Sequence, residues 1–288
     1  MIGPQIAMLP DARRLHLNHG PIDLVVEAFG SEGERAAAYG KAAERFRTIL
    51  EELVAELPAL RSPLAPGGSE FSGSTARRMA KAVRPFGAIF VTPMAAVAGS
   101  VADEILAALV AGRKLERAYV NNGGDSAIFL APGAAMKLAI AGTGNGFRDQ
   151  IRIDAASPVR GVATSGWRGR SLSLGIADAV TVLARSGAEA DVAATLIANA
   201  VDLSGHPAIR REKASDLQPD TDLGERLVTV EVGHLTAAEA RQALKNGLTV
   251  ADDFRRCGLI EAAALILNGE AALCGALQGE RKRVEEHA

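Results

Sequence analysis

The stretch ADAVTVLARSGAEADVAATLIANAV, residues 177–201, decides the reading of the fold. ADAVTVLA is short and continuously apolar, as a buried strand is, and EADVAATLIANAV is a helix opening on Glu189 and Asp191. Two aspartates, Asp178 and Asp191, interrupt this apolar run, each after an alanine. A buried ionised carboxylate must be paired, capped or bound to a cation, so each one asks for a partner. For Asp191 two answers stand side by side. It caps the helix N-terminus while Thr195 bonds back to the backbone. Alternatively, Asp191 and Thr195, four apart on one helix face, offer oxygens to a hard cation such as magnesium.

Outward from this stretch, strands and helices mix without a regular βαβ alternation. The fold class is therefore α+β, mainly antiparallel sheet packed against helices, and one domain over residues 1–288. LHLNHGPIDLVVEAF reads as strand, turn and strand, and GERAAAYGKAAERFRTILEELVAEL as an amphipathic helix ending near Pro58. RSPLAPGGSEFSGS is a surface loop, Ser74 an N-cap for STARRMAKAV, and GAIFVTPM a short buried strand. A helix follows from near Ser100 to Gly112. RAYVNNGGDSAIFLAPGAAMKLAIAG gives three strands, and FRDQIRIDA, GVATSG and RLVTVEVG one each. TAAEARQALKNGLTVADDFRRCGLIEAAALIL is helical with a break at Gly247.

Composition narrows the function. With 48% hydrophobic residues a chain of 288 builds a sizeable core, and a net charge of -2 with 4% aromatics argues against nucleic acid as the ligand. A small molecule is expected instead. Cys257 and Cys274 lie in separate helical patterns without CxxC spacing and read as reduced core residues, which suits the cytoplasm. Prolines and charges interrupt the N-terminal stretch where a signal peptide needs an apolar run, and no membrane-length apolar stretch stands out. The alanine-rich helices are suited to a homodimer interface.

Four constellations carry chemistry. VNNGGDSAIFL sets Asn121, Asn122, Gly123 and Gly124 before Asp125, either a hairpin turn or a place where backbone approaches a ligand. It lacks the spacing of a dinucleotide turn and the lysine of a P-loop. MAAVAGSVADEIL brings a small-residue loop to a helix N-terminus, either a place that favours an anion or a tightly packed helix start. In GVATSGWRGRS, Thr164, Ser165 and Gly166 precede Trp167, Arg168 and Arg170, either a set of hydroxyls and cations suited to phosphate oxygens or a solvated loop. His19, at a turn beside Asp23, is a candidate acid, base or ligand hydrogen bonder.

Taken in order, PMAAVAGSVADEIL, YVNNGGDSAIFL, VATSG and ADVAATLIAN resemble the ApbE-like superfamily of flavin transferases over about residues 90 to 201. HGPIDL and DTDLGERLVTVEV extend the likeness to its functionally uncharacterised branch, uncharacterised protein family 0280. The resemblance implies a magnesium-dependent enzyme that cleaves FAD, attaches FMN to a threonine of an acceptor protein and releases AMP. It implies metal ligation by Asp191, Thr195 and the main-chain carbonyl of Ala95, and a flavin nucleotide near Asn121 to Asp125. The chain departs from the transferases in lacking a His-Ile-Ile-Asp-Pro stretch; Asp178 either replaces its aspartate or caps a strand end beside the site. It also has Ala98 for a lysine and Thr92 for an FAD-binding aspartate, which weakens FAD specificity. The expected function is action on FAD or a related phosphorylated molecule, by FMN transfer or pyrophosphate cleavage. The alternative is a non-catalytic flavin or small-ligand binding protein.

Overall fold

The computed structural model describes residues 3–65, 70–139 and 150–275. In chain order the elements are β1 (Gln5–Met8), β2 (Leu15–His19), β3 (Ile22–Phe29), α1 (Glu32–Ala55), α2 (Leu57–Leu60), α3 (Ser74–Val83) and α4 (Val97–Val110). Then follow β4 (Arg117–Asn122), β5 (Asp125–Leu130), β6 (Ala135–Ala139), β7 (Gln150–Asp154), β8 (Gly161–Ser165), β9 (Ala179–Ala184) and α5 (Gly187–Ala200). The chain continues through β10 (Ile209–Lys213), α6 (Ala214–Leu217), β11 (Leu227–Val232), α7 (Ala237–Arg256), β12 (Ala262–Leu267) and β13 (Glu270–Cys274).

Nine strands form one sheet in the order β1-β2-β3-β4-β5-β8-β9-β12-β13, and each neighbouring pair is antiparallel. The α+β class with mainly antiparallel sheet is thus the observed one. Alternation sorts the strands by face. Leu15, Leu17, Leu24, Val26, Ala118 and Val120 point under α1, α3 and α4, while Ala163, Val180, Val182, Ala263 and Leu265 point under α5 and α7. On the opposite face the β6-β7 pair packs Met136, Ile151 and Ile153 against Ile128, Val162 and Leu183. With cover on both faces, β9 and β12 are buried along their whole length, which is why AVTVLA and AAALIL read as unbroken apolar runs.

Helix α1 is capped by Ser31, whose side chain accepts from the Glu34 N–H at 3.4 Å, and it buries Ala38, Ala42, Phe46, Ile49 and Leu53. Helices α4 and α5 cross at two glycines. A Cβ on Gly99 would stand 2.1 Å from the Gly187 carbonyl oxygen, so the backbones touch where any side chain would separate them.

Several expectations are corrected. GAIFVTPM is not a strand: residues 87–92 run as a turn and an extended link, clasped from outside by Arg226 over the Phe90 ring at 3.2 Å. Helix α4 begins at Val97, preceded by a 3-10 turn over Pro93–Ala96, because Thr92 caps that turn by accepting from the Met94 N–H. Ser74 is the first helical residue of α3, with Gly73 in the cap position. Helix α7 runs through Gly247 without a break, since a Cβ there would press to 2.3 Å from Val201 and the bare residue lets the helix seat on α5. IEAAALIL is strand β12, turned into β13 at Asn268 and Gly269, both with positive φ. Cys257 is exposed at the end of α7, and Cys274 is buried on β13, donating to Asp252 at 3.2 Å. Pro93–Val110 is, by length and composition, apolar enough to cross a membrane, contrary to the expectation, but here 56% of it is buried inside the protein as its central helix. Part of the surface loop, residues 66–69, and the FRD that opens the seventh strand lie outside the described residues.

Replacing Gly99 by alanine must push α4 and α5 apart at a backbone contact. We expect Gly99→Ala to lower the unfolding free energy by about 2 kcal/mol or more, read from urea denaturation midpoints.

Candidate functional site

The site is built where α4 and α5 cross over the sheet. Helix α5 starts at Gly187, and Ser186 caps it by accepting from the Glu189 N–H at 3.2 Å. The remaining N–H groups of that turn, on Gly187 and Ala188, donate to the two oxygens of Asp103 on α4, each at 2.9 Å. Asp191 therefore does not cap its own helix. It sits one turn in and reaches across, its Oδ2 accepting from the Gly99 N–H of α4 at 3.0 Å. The two helices exchange carboxylates: Gly99 and Asp103 lie four apart on α4, Gly187 and Asp191 four apart on α5, and each aspartate takes the other helix's glycine N–H. Asp103 was not foreseen, although GSVAD and GAEAD carry the same spacing.

Beneath the crossing lies the β4–β5 turn. Gly123 and Gly124 have φ of +65° and +123°, the left-handed backbone that a two-residue hairpin requires. Asn122 anchors the turn by donating from Nδ2 to the Ala98 carbonyl oxygen at 3.1 Å, which joins two of the sequence motifs directly. Asp125 accepts from the Thr164 N–H at 3.1 Å. Although the residue as a whole is half-buried, its carboxyl group is sunk among protein atoms. Burial pushes Asp125 up to about 7, against the Thr164 hydrogen bond and the nearby charge of Arg170. Burial raises Asp191 well above the ordinary carboxylate range, and the neighbouring charge of Asp125 raises it further, against hydrogen bonds from Gly99 and Ala98. The charge of Asp125 thus weighs on a second buried acid, and the cation that acts on Asp125 is Arg170.

Other predicted residues fall around this centre. Thr195 is half-buried one turn beyond Asp191 and makes no side-chain hydrogen bond among the described residues, so the expected bond back to the backbone is absent. Ala95 lies half-buried in the 3-10 turn before α4. Ser165 shares the helix-facing side of the sheet with Asp125, through the pairings of Ala127 with Gly161 and Ser165 with Val180. Gly166 lies against the main chain of Asp178, where a Cβ would meet the Asp178 carbonyl oxygen at 2.5 Å.

Others are turned away. Pleating sends Asn121 to the opposite face, where it donates to Ser126 at 2.9 Å, and likewise the Thr164 hydroxyl, which bonds Thr181 at 2.9 Å. Asp178 answers its own question with structure: one oxygen accepts from Arg168 at 2.6 Å and Trp167 at 3.3 Å, the other from the Asn268 N–H at 2.7 Å. It clasps the β12–β13 turn to the loop after β8. His19 is buried under α1, edge-on to Phe46 with centroids 6.3 Å apart and 3.7 Å from Glu51. Its Nδ1 has no partner among the described residues, while Asp23, expected beside it, pairs with His16 instead. Thr92 donates to Asp222, so a carboxylate reaches this loop from a segment 130 residues further along. No group of three or more His, Cys, Asp and Glu placed to hold a metal occurs among the described residues; the assembled oxygens are two carboxylates and a hydroxyl.

Charge at this centre dictates a pH dependence. Asp125 and Asp103, raised to about 7 and about 6 from 3.8, bind protons in the folded state that the unfolded chain releases. Their stabilising contribution is complete below about pH 4 and is lost as pH rises through 6 and 7. Urea denaturation in chelator should show stability falling across that window, with Asp125→Asn flattening its upper part; an unchanged slope in the variant refutes the assignment.

A family model described as AbpE bacteria matches residues 6–273. A UPF0280 protein of Methanopyrus kandleri is 33% identical over 178 residues, 62% of this chain and 69% of that protein. A UPF0280 protein of Methanothrix thermoacetophila is 36% identical over 158 residues, 54% of this chain and 65% of that protein. One of Methanosphaerula palustris is 38% identical over 159 residues, 54% of this chain and 64% of that protein. The chain thus spans about two thirds of the length of these relatives. The crystal structure of the Pseudomonas stutzeri flavinyl transferase ApbE, apo form, aligns over 95% of this chain and 96% of that chain, with a TM-score of 0.41 and 14% identity. The match over residues 6–273 shows that the chain belongs to the family described as AbpE bacteria, and it is a relative of the archaeal UPF0280 proteins.

Proposed function

We propose that this chain is a magnesium-dependent enzyme acting on FAD or a related phosphorylated small molecule, by FMN transfer or pyrophosphate cleavage. The observation that carries the reading is the pair of buried carboxylates, Asp125 and Asp191, each raised out of the ordinary range with the charge of one acting on the other. Hard oxygen donors suit magnesium, and a cation held at Asp191 would offset the charge of Asp125. Asp191, the unbonded hydroxyl of Thr195 and the Ala95 carbonyl would hold it. Bound there, magnesium supplies polarisation of a phosphoryl oxygen and neutralises charge on the leaving group.

The remaining work falls to the chain's own residues. The bare backbone at Gly123 and Gly124 leaves room for the ligand, and Asn122 keeps that turn against α4. Asp125 is the proton acceptor of this reading, held by the Thr164 N–H, since Asp178 is occupied and His19 lies under α1. In the transfer, the hydroxyl oxygen of the acceptor protein bonds to the FMN phosphorus, the pyrophosphate bond breaks, AMP leaves, and the hydroxyl proton passes to Asp125. With water as acceptor the same step is hydrolysis. The reduced thiols Cys257 and Cys274 fit a cytoplasmic setting for it. A non-catalytic binding protein is the second reading, favoured by the complete occupation of the Asp178 oxygens.

Asp191→Asn separates charge from packing, because an amide oxygen still accepts from Gly99. With saturating FAD and magnesium the wild-type melting temperature should rise by about 5 °C and AMP should appear. In Asp191→Asn both effects should vanish, while the metal-free variant melts above the wild type at pH 8, having lost the repulsion. Binding without AMP supports the second reading. No shift with any flavin nucleotide removes the proposal.

A further inference from the structure

Arg170 lies five residues beyond the end of β8 and folds back across the β4–β5 turn. A Cβ built on Gly123 would stand 1.9 Å from its Nη2 and 3.1 Å from its Cζ, so the guanidinium rests on bare turn backbone. It is exposed and, among the described residues, makes no hydrogen bond or ion pair, although its charge acts on Asp125. Its neighbour Arg168, equally exposed, is engaged instead: it is bound to Asp178 at 2.6 Å and lies 5.0 Å from the Trp167 ring. One arginine is structural, and the other offers its planar fork of donors at the Gly123 turn, where its charge reaches Asp125.

We infer that Arg170 is the anion-binding residue of this site, and that the ligand carries a phosphate or pyrophosphate group whose oxygens the guanidinium takes. This rests on the reading above that a phosphorylated ligand binds beside Asp125 and Asp191. Carboxylates take a cation and exclude a free anion, so a phosphate can approach them only with charge supplied from another side. Arg170 is that side, and a planar guanidinium meets two phosphate oxygens at once where an ammonium meets one. Gly123 is the residue that permits its position, because a side chain there would displace the guanidinium.

The test is titration of the full chain with FMN, riboflavin and inorganic pyrophosphate, each with magnesium, using the wild type, Arg170→Gln and Arg170→Lys. The exposed position predicts unchanged melting temperatures without ligand. Arg170→Gln should weaken FMN and pyrophosphate about 10- to 100-fold and leave riboflavin unchanged, with Arg170→Lys between. If Arg170→Gln binds FMN and pyrophosphate as the wild type does, the inference is overturned and the proposed function stands. If pyrophosphate binds through Arg170 but no flavin binds, the flavin reading falls and Arg170 keeps its role. If the wild type binds neither, both fall.

Discussion

The exchange of carboxylates between α4 and α5 is the constraint on which the site depends. A helix N-terminus presents N–H groups that must find acceptors when buried. Here each helix satisfies the other: Asp103 receives Gly187 and Ala188, and Asp191 receives Gly99. The exchange works only because glycine stands at both crossing points, so that main chains touch. Helix α4 packs on β4 and β5 and helix α5 on β8 and β9. Locking the two helices therefore fixes the middle of the sheet and brings Asp191 over Asp125.

Acids bonded to cationic side chains stand apart from acids that have main-chain donors alone. Glu104 is held below its ordinary value: burial would raise it, but Ser74, Arg78 and Arg45 all bond it, with Arg78 at 2.7 Å and Arg45 at 2.9 Å. Asp178 is similarly filled by Arg168, Trp167 and a main-chain N–H. These acids tie helices and turns together. Asp125 and Asp191 have main-chain donors but no bonded cation, and the charge of Asp125 raises Asp191 further. Asp103 stands with this pair in having main-chain donors alone, from Gly187 and Ala188.

Position in the sheet explains why the site lies where it does. The β4–β5 turn and the start of α4 meet at one end of the strands, joined by Asn122 and Ala98. Here the backbone curves through positive φ at Gly123 and Gly124, and the core gives way to polar groups. The opposite face at the same level carries a separate layer of Asn121, Ser126, Thr164 and Thr181, bonded among themselves. Adjacent letters of one motif thus serve different faces.

By itself the sequence determined the alternating strands β2 to β5, the long helix α1, the α+β class and the segments that meet at the site. Hydrophobic period and glycine turns are local properties, and the motif order carried the family. It misread IEAAALIL as helix and Gly247 as a break, because continuous apolar runs lose their period when both faces are covered. It left Asp191 between cap and ligand and gave Asp178 a ligand-facing role. Only the tertiary structure supplied their protein partners, since the groups concerned lie far apart in the chain: Gly99 is 92 residues from Asp191, and Asn268 is 90 from Asp178. A carboxylate's meaning is set by the donors and charges around it, and those are assembled by packing rather than by neighbouring residues.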